Sequence, residues 1–263
     1  MVLECVINIS EGRDTDVVAA IAASAGDDLL DVHTCADHHR SVLTLVGEDA
    51  PRAVAREAVE RLDLRAHAGA HPRIGVLDVV PFVPLGDTPL RAAMAARDDF
   101  AEWASGALGL PCFLYGPERA LPDVRRGAFT SLPPDLGPAR PHPSAGAVAV
   151  GARPLLVAYN LWLAEPDLAL ARRVAAGLRG PTVRALGLQV GDQVQVSMNL
   201  VAPDQTGPAD VWDQVTAQTP VARAELVGLV PRTVLDRIDA SRWTQLDLAP
   251  DRTIEARLGR PTR

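Results

Sequence analysis

Five of the six histidines, His33, His38, His39, His67 and His71, crowd into one stretch, and the sixth, His142, lies in a segment rich in proline and glycine. Histidine exchanges a proton near neutral pH, its ordinary pKa being about 6.5. Two chemistries could use such a cluster. The first is metal ligation by His33, Asp37, His38, His39 and the pair His67-x-x-x-His71. A metalloprotease-like pair needs a glutamate after its first histidine and a helix that holds both on one face. Here Ala68 and Gly69 follow His67 and Pro72 follows His71, so no continuous helix and no metal are expected. The second is acid–base work by one histidine. His71-Pro72-Arg73 stands just before an apolar run from Ile74, where a rigid strand end can project an imidazole into a site. A plain surface-loop histidine is the competing reading.

Arginines are natural grips for carboxylates, because the planar guanidinium donates two parallel hydrogen bonds. Arg40, Arg73, Arg140 and Arg153 fall at expected strand ends or in the Pro/Gly-rich segment, which suits a small polyanionic ligand. All 26 basic residues are arginine. A chain without lysine has no Schiff-base or pyridoxal-phosphate anchor and no Walker-type phosphate loop. A formal charge of -7 and an aromatic content of 4% argue against a nucleic-acid partner. No apolar run approaches membrane-spanning length, so no membrane partner is expected. The start Met1-Val2-Leu3-Glu4 has an acid where a secretory signal needs basic residues, and a cytoplasmic address is expected. Cys5, Cys35 and Cys112 are too scattered for a disulfide framework or thiolate zinc site, and read as small buried apolar residues.

The elements that must position these groups follow from periodicity. Leu3–Ile9, Leu29–Thr34, Ser41–Val46 and Ile74–Val83 read as strands. Asp16–Ser24 reads as a helix capped by Asp14 or Thr15. A second helix is expected with Pro51 in its first turn and Val54, Ala58 and Leu62 on one face. The order β-α-β-β-α-β then recurs. Leu155–Leu163, Val183–Val190, Val194–Val201 and Val221–Val230 read as strands, with Gly191-Asp192 as a hairpin turn. Helices are expected after Pro166, over Ala209–Ala217 and from Arg232. The fold class is α/β (α+β): two ferredoxin-like βαββαβ subdomains in tandem, 1–153 and 154–263, with a cleft between them. Gly127–Gly151 reads as a long connection between the halves, either the wall of a ligand site or a solvated linker.

Several blocks resemble the formiminotransferase family. Glu4-Cys5-Val6-Ile7-Asn8-Ile9-Ser10-Glu11-Gly12 is similar to its N-terminal signature. Leu29-Leu30-Asp31-Val32 with Arg40-Ser41-Val42 looks like its second block. His67-Ala68-Gly69-Ala70-His71-Pro72-Arg73-Ile74-Gly75-Val76-Leu77-Asp78-Val79 resembles its H-x-G-x-H-P-R-x-G-x-L-D-V block. Phe113-Leu114-Tyr115-Gly116, Gly137-Pro138 through Gly151-Ala152-Arg153, and Leu226-Val227-Gly228-Leu229-Val230-Pro231 match in order.

The resemblance covers nearly the whole chain without a cyclodeaminase part. It implies two formiminotransferase subdomains, usually in a homodimer. It also implies exchange of a formimino group between N-formiminoglutamate and N5 of the co-substrate tetrahydrofolate, in histidine breakdown. Formyl transfer from 5-formyltetrahydrofolate, or folate binding without catalysis, are the alternatives. The catalytic histidine falls on His71. The folate loop falls on Gly137, Pro138, Ala139, Arg140, Pro141, His142, Pro143, Ser144, Ala145 and Gly146. Asn8, His33, Arg40, Arg73 and Arg153 are expected in supporting or substrate-binding roles. The chain departs from the family pattern at three places. His33 stands where a carboxylate is usual, Ala145 replaces an aromatic residue, and Ala68 and Ala70 replace polar ones.

Overall fold

The structure is a computed structural model that describes residues 2–69 and 73–259. β1 (Val2–Ile9) alternates as a half-covered strand does, sending Leu3, Cys5, Ile7 and Ile9 to one buried face. Asp14 caps α1 (Thr15–Ala23), its carboxylate accepting from the amides of Asp16 and Val17, a contribution of about 1 kcal/mol. β2 (Leu29–Cys35) and β3 (Arg40–Val46) form a hairpin. α2 (Asp49–Arg61) buries Val54, Ala55 and Ala58, with Pro51 in its first turn. β4 (Leu77–Leu85) begins three residues later than expected, because residues 74–76 bond elsewhere. Strand order β2-β3-β1-β4, antiparallel throughout, is the ferredoxin-like arrangement.

The first sheet then extends beyond that motif. After α3 (Leu90–Leu108), β5 (Cys112–Tyr115) and α4 (Leu121–Gly127), β6 (Val148–Ala152) inserts in parallel between β4 and β5. The result is six strands in the order β2-β3-β1-β4-β6-β5. Gly127–Gly151, expected as a connection between the halves, instead folds back onto this sheet and ends as one of its inner strands. The small residues of β6 make room for large neighbours. A Cβ on Gly151 would lie 2.1 Å from Cζ of Tyr115, whose ring lies over that glycine. α3 buries Ala93, Ala96, Phe100, Ala101 and Ala104, and Phe100 alone contributes about 1.5–3 kcal/mol.

The two faces of this sheet are covered differently. α1, α2 and α3 pack on Ile7, Leu43, Val80, Phe82 and Val150. On the other face, α4 with Phe129 and Leu132 covers Val79, Phe113 and Ala149. Between Asn8 and Ile9 the β1–β4 register shifts: Asn8 pairs with Val79 but Ile9 with Leu77. Asp78 is therefore an extra residue, a β-bulge of the kind that re-aims a side chain.

The chain divides into two compact units, Met1–Pro154 and Leu155–Arg263. The second contains β7 (Val157–Leu163), α5 (Leu168–Leu178), β8 (Val183–Val190), β9 (Gln193–Leu200), α6 (Pro208–Thr216) and β10 (Val221–Val227). Its strand order β10-β7-β9-β8, again antiparallel, repeats the ferredoxin-like pattern. Gly191-Asp192 is the turn between β8 and β9. The helix expected from Arg232 is a single turn, α7 (Arg232–Leu235), and a short α8 (Ile254–Leu258) follows. No described helix is long and apolar enough to cross a membrane.

Candidate active site

Asp78 is the organising charge of the first unit, with only 2% of its surface exposed. Arg125, near the end of α4, grips it with both terminal nitrogens, Nη1 to Oδ1 at 3.2 Å and Nη2 to Oδ2 at 2.7 Å. Arg40, at the start of β3, brings Nη2 within 3.4 Å of Oδ2, and its Nε donates to Asn8 Oδ1 at 3.0 Å. The backbone N–H of Ile74 donates to Asp78 Oδ1 at 2.9 Å. Burial pushes the Arg40 pKa down to about 10; Asp78 opposes that shift, while Arg125 and Arg73 add to it. Arg73 is also lowered, by burial first and then by Arg125, against the pull of Asp78. One carboxylate thus stands among three guanidinium groups, an excess of positive charge suited to an anionic ligand. Tyr115 borders the array: burial pushes its phenol up to about 12, while Arg153 and Arg125 act in the opposite direction.

A second cluster lies at the other side of Arg73. Glu11 Oε1 accepts from the amides of Gly12, Arg13 and Asp14 at 2.8, 2.7 and 3.0 Å. Burial opposes ionisation of Glu11, but these donors and His39 outweigh it and hold the carboxyl below its usual range. His39, in the left-handed region with φ 50°, stacks on His67 with ring centroids 4.0 Å apart. Burial lowers the pKa of both imidazoles; His67 and the arginines Arg13 and Arg73 add to this at His39. At His67 the hydrogen bond to the His39 backbone works in the other direction, and Arg73 lowers it further. Arg73 Nη1 donates to His67 Nδ1.

These shifts fix a pH dependence of stability. The unfolded chain takes up protons at the two histidines from about pH 6.5 downward, before the folded chain does, so their contribution is present above that pH and declines below it. Glu11, depressed from 4.5, adds stability above that value that is lost as pH falls through its folded pKa. Urea midpoints are expected to fall from pH 7.5 to pH 5.5, and replacing His39 and His67 by glutamine should flatten that decline. Identical slopes in both proteins would overturn the assignment.

The segment expected to hold folate is built onto the residues that follow His71. Val76 N donates to Ala145 O at 3.0 Å, Ala147 N to Ile74 O at 2.9 Å and Leu64 N to Ser144 O at 2.7 Å. Ser10 Oγ donates to Gly75 O at 2.8 Å, tying in the end of β1. His142 organises the turn, its Nδ1 accepting from Ala145 N at 3.0 Å. Gly137, Pro138, Ala139, Arg140, Pro141 and Pro143 are exposed, His142 and Ser144 half-buried, and Ala145 and Gly146 buried. The last two are scaffold rather than surface, so Ala145 offers no stacking face. Gly75 allows this close approach: a Cβ there would meet Ala147 O at 2.0 Å and Ala145 O at 2.7 Å. A Gly75→Ala chain is therefore expected to lose about 1–3 kcal/mol, read as a lower urea midpoint; an unchanged midpoint would mean the segment is not held here.

The expected residues fall into place unequally. Asn8 and Arg40 touch directly, Arg73 belongs to both clusters, and Arg153 stands beside Tyr115. His33, half-buried on the outer strand β2, faces Val42, which in turn faces Asn8, so these three share one sheet face. His71, expected as catalyst, lies outside the described residues. The described residues contain no group of three or more His, Cys, Asp or Glu side chains that could hold a metal. Sequence reading gave no role to Asp78, Arg125, Glu11, His39 or His67 in this constellation. Asp78 had a signal, a lone charge inside an apolar run.

Fold and site together define a two-sheet α/β protein with an arginine-rich cluster built around a bulged strand. The formiminotransferase domain, N-terminal subdomain, matches residues 2–153. The glutamate formimidoyltransferase of Streptococcus pyogenes serotype M1 is 34% identical over 278 residues, 92% of each chain. That of Thermoplasma acidophilum is 34% identical over 280 residues, covering 92% of this chain and 91% of the relative. The formimidoyltransferase-cyclodeaminase of Gallus gallus is 34% identical over 285 residues, 92% of this chain but 52% of that longer protein. The chain belongs to the formiminotransferase family.

Proposed function

We propose that this chain is a glutamate formimidoyltransferase, exchanging a formimino group between N-formimino-L-glutamate and N5 of tetrahydrofolate. The observation that carries this reading is the joining of the 142–146 segment to residues 74–76, which follow His71-Pro72-Arg73 directly. One piece of backbone construction therefore serves both the proposed folate loop, Gly137–Gly146, and the proposed catalytic block. The excess of guanidinium over carboxylate suits two substrates that both carry carboxylates, with Arg40, Arg73 and Arg125 as grips and Arg153 beside Tyr115.

In the transfer, the N5 lone pair forms a bond to the amidine carbon and the carbon–nitrogen π electrons move onto nitrogen, giving a tetrahedral intermediate. The lone pair on that nitrogen then re-forms the carbon–nitrogen double bond as the bond from carbon to the glutamate nitrogen breaks, and the departing nitrogen needs a proton to leave as an amine. His71 accepts the proton released from N5 and returns one to the glutamate nitrogen. Holding both substrates against fixed arginines supplies the orientational part of the acceleration. The second unit is the C-terminal formiminotransferase subdomain in this reading, and the protein works as a cytoplasmic homodimer.

The test is formimino transfer by the purified chain, followed as 5-formiminotetrahydrofolate, beside calorimetric titration with folinic acid. Turnover above a His71→Ala control supports the proposal. Binding of folinic acid without turnover would turn it into a folate-binding protein, and formyl transfer from 5-formyltetrahydrofolate would change the transferred group.

A further inference from the structure

The hydrogen bonds of the stacked histidines settle where their protons are. A carbonyl oxygen only accepts, so the 2.9 Å contact of His67 Nε2 with His39 O places the His67 proton on Nε2. A guanidinium only donates, so His67 Nδ1 must present a lone pair to Arg73 Nη1. Both ring nitrogens are thus engaged, and only the neutral imidazole can make both bonds. Gly69, two residues after His67, is closely packed. A Cβ on Gly69 would meet His38 O at 2.8 Å, and Arg73 Nη2 and His39 Cβ at 2.9 Å each.

We propose that His67 is a positioning residue of the transfer site: as a neutral imidazole it holds the Arg73 guanidinium in place for a substrate carboxylate, and its protonation releases Arg73. This rests on the reading of Arg73 as a grip in formimino transfer. A proton on Nδ1 would set an N–H against an N–H and a cation against a cation. Among the described residues, the charged and titratable groups around His67 and Arg73 are His39 stacked on His67, Glu11 and Arg13 from the segment after β1, and Asp78 and Arg125 on the far side of Arg73. His39 is situated differently. Its Nδ1 accepts from Gly12 N at 3.2 Å and has Glu11 Oε1 at 3.3 Å, so a proton there would gain a carboxylate partner. Protonation of His67 gains no comparable acceptor among the described residues and loses its guanidinium donor.

Two measurements on the full chain test the assignment. In long-range ¹H–¹⁵N spectra, His67 is expected as the Nε2–H tautomer at pH 7.5, and the Arg73 Nε resonance should follow the His67 titration. In His67→Asn, where the amide oxygen keeps an acceptor but cannot titrate, that response of Arg73 should vanish. In steady-state kinetics, KM for N-formiminoglutamate is expected to rise about tenfold from pH 7.5 to pH 5.5 in the natural chain, the loss of one charge-assisted hydrogen bond. The same limb should be flat in His67→Asn, whereas His67→Leu should show the raised KM at every pH. A KM limb that persists in His67→Asn, or an Arg73 resonance indifferent to the His67 titration, overturns the proposal. If no variant transfers a formimino group, the proposed function fails on its own, and the Arg73 resonance still decides whether His67 holds that guanidinium.

Discussion

A His71→Ala chain is expected to lose about 10²–10⁴-fold in kcat for formimino transfer, with the KM of either substrate changed far less. The asymmetry follows from what each group supplies. The tetrahedral intermediate can return to reactants or go forward, and forward passage requires a protonated glutamate nitrogen. Removing the imidazole leaves that proton to water, while the arginines around Asp78 still hold carboxylates and the 142–146 segment still has its backbone bonds. Residual turnover from orientation alone should therefore remain measurable. Steady-state kinetics at saturating tetrahydrofolate makes the comparison, and a loss of kcat below about threefold would remove His71 from proton transfer.

Asp78→Ala is expected to lower the stability of the first unit by about 3–5 kcal/mol. The carboxylate is almost wholly buried and answers two guanidinium groups and the Ile74 amide at once. Taking it away leaves Arg40 and Arg125 close together without the charge that offsets their repulsion. It also frees the backbone that carries Arg73 into β4. Asp78→Asn should lose less, since an amide oxygen can still accept from Ile74 N. Urea unfolding measures both, and a midpoint for Asp78→Ala equal to that of the natural chain would mean that the arginines do not depend on this carboxylate.

Much of this architecture was legible in the residues. Strong alternation in Leu3–Ile9 and Ser41–Val46, the Asp14 cap and the Gly191-Asp192 turn each state their element locally, and both ferredoxin-like units follow from them. The stretch from Leu90 to Ala152 did not speak so clearly. Helix α3 buries mostly alanine, which carries little periodic contrast, and β5 is four residues long. β6 reads Val-Ala-Val-Gly-Ala, and its glycine looks like a loop residue until the Tyr115 ring that needs the space is seen. Of the residues expected at the site, Asn8 and Arg40 touch, whereas Asp78, Arg125 and Glu11 had no expected role. Position in the chain marked Arg40 and Arg73 as candidates; only tertiary placement shows that Asp78 and Asn8 bind the first and His67 the second.

The extra residue in β4 has a consequence for how this site can vary. Side chains along a strand alternate, and the extra residue at Asp78 interrupts that alternation once. Leu77 and Val80, three positions apart, would lie on opposite faces of a regular strand; both face the helices because the bulge takes up the extra residue. Substituting Asp78 alters charge and leaves that arrangement intact. Deleting it would leave Val79 alone between Leu77 and Val80, restoring plain alternation with the same residues toward the helices but without the carboxylate that holds Arg40 and Arg125. The core of β4 can therefore be built without this residue: the bulge is an addition that serves the arginine cluster rather than the packing of the strand.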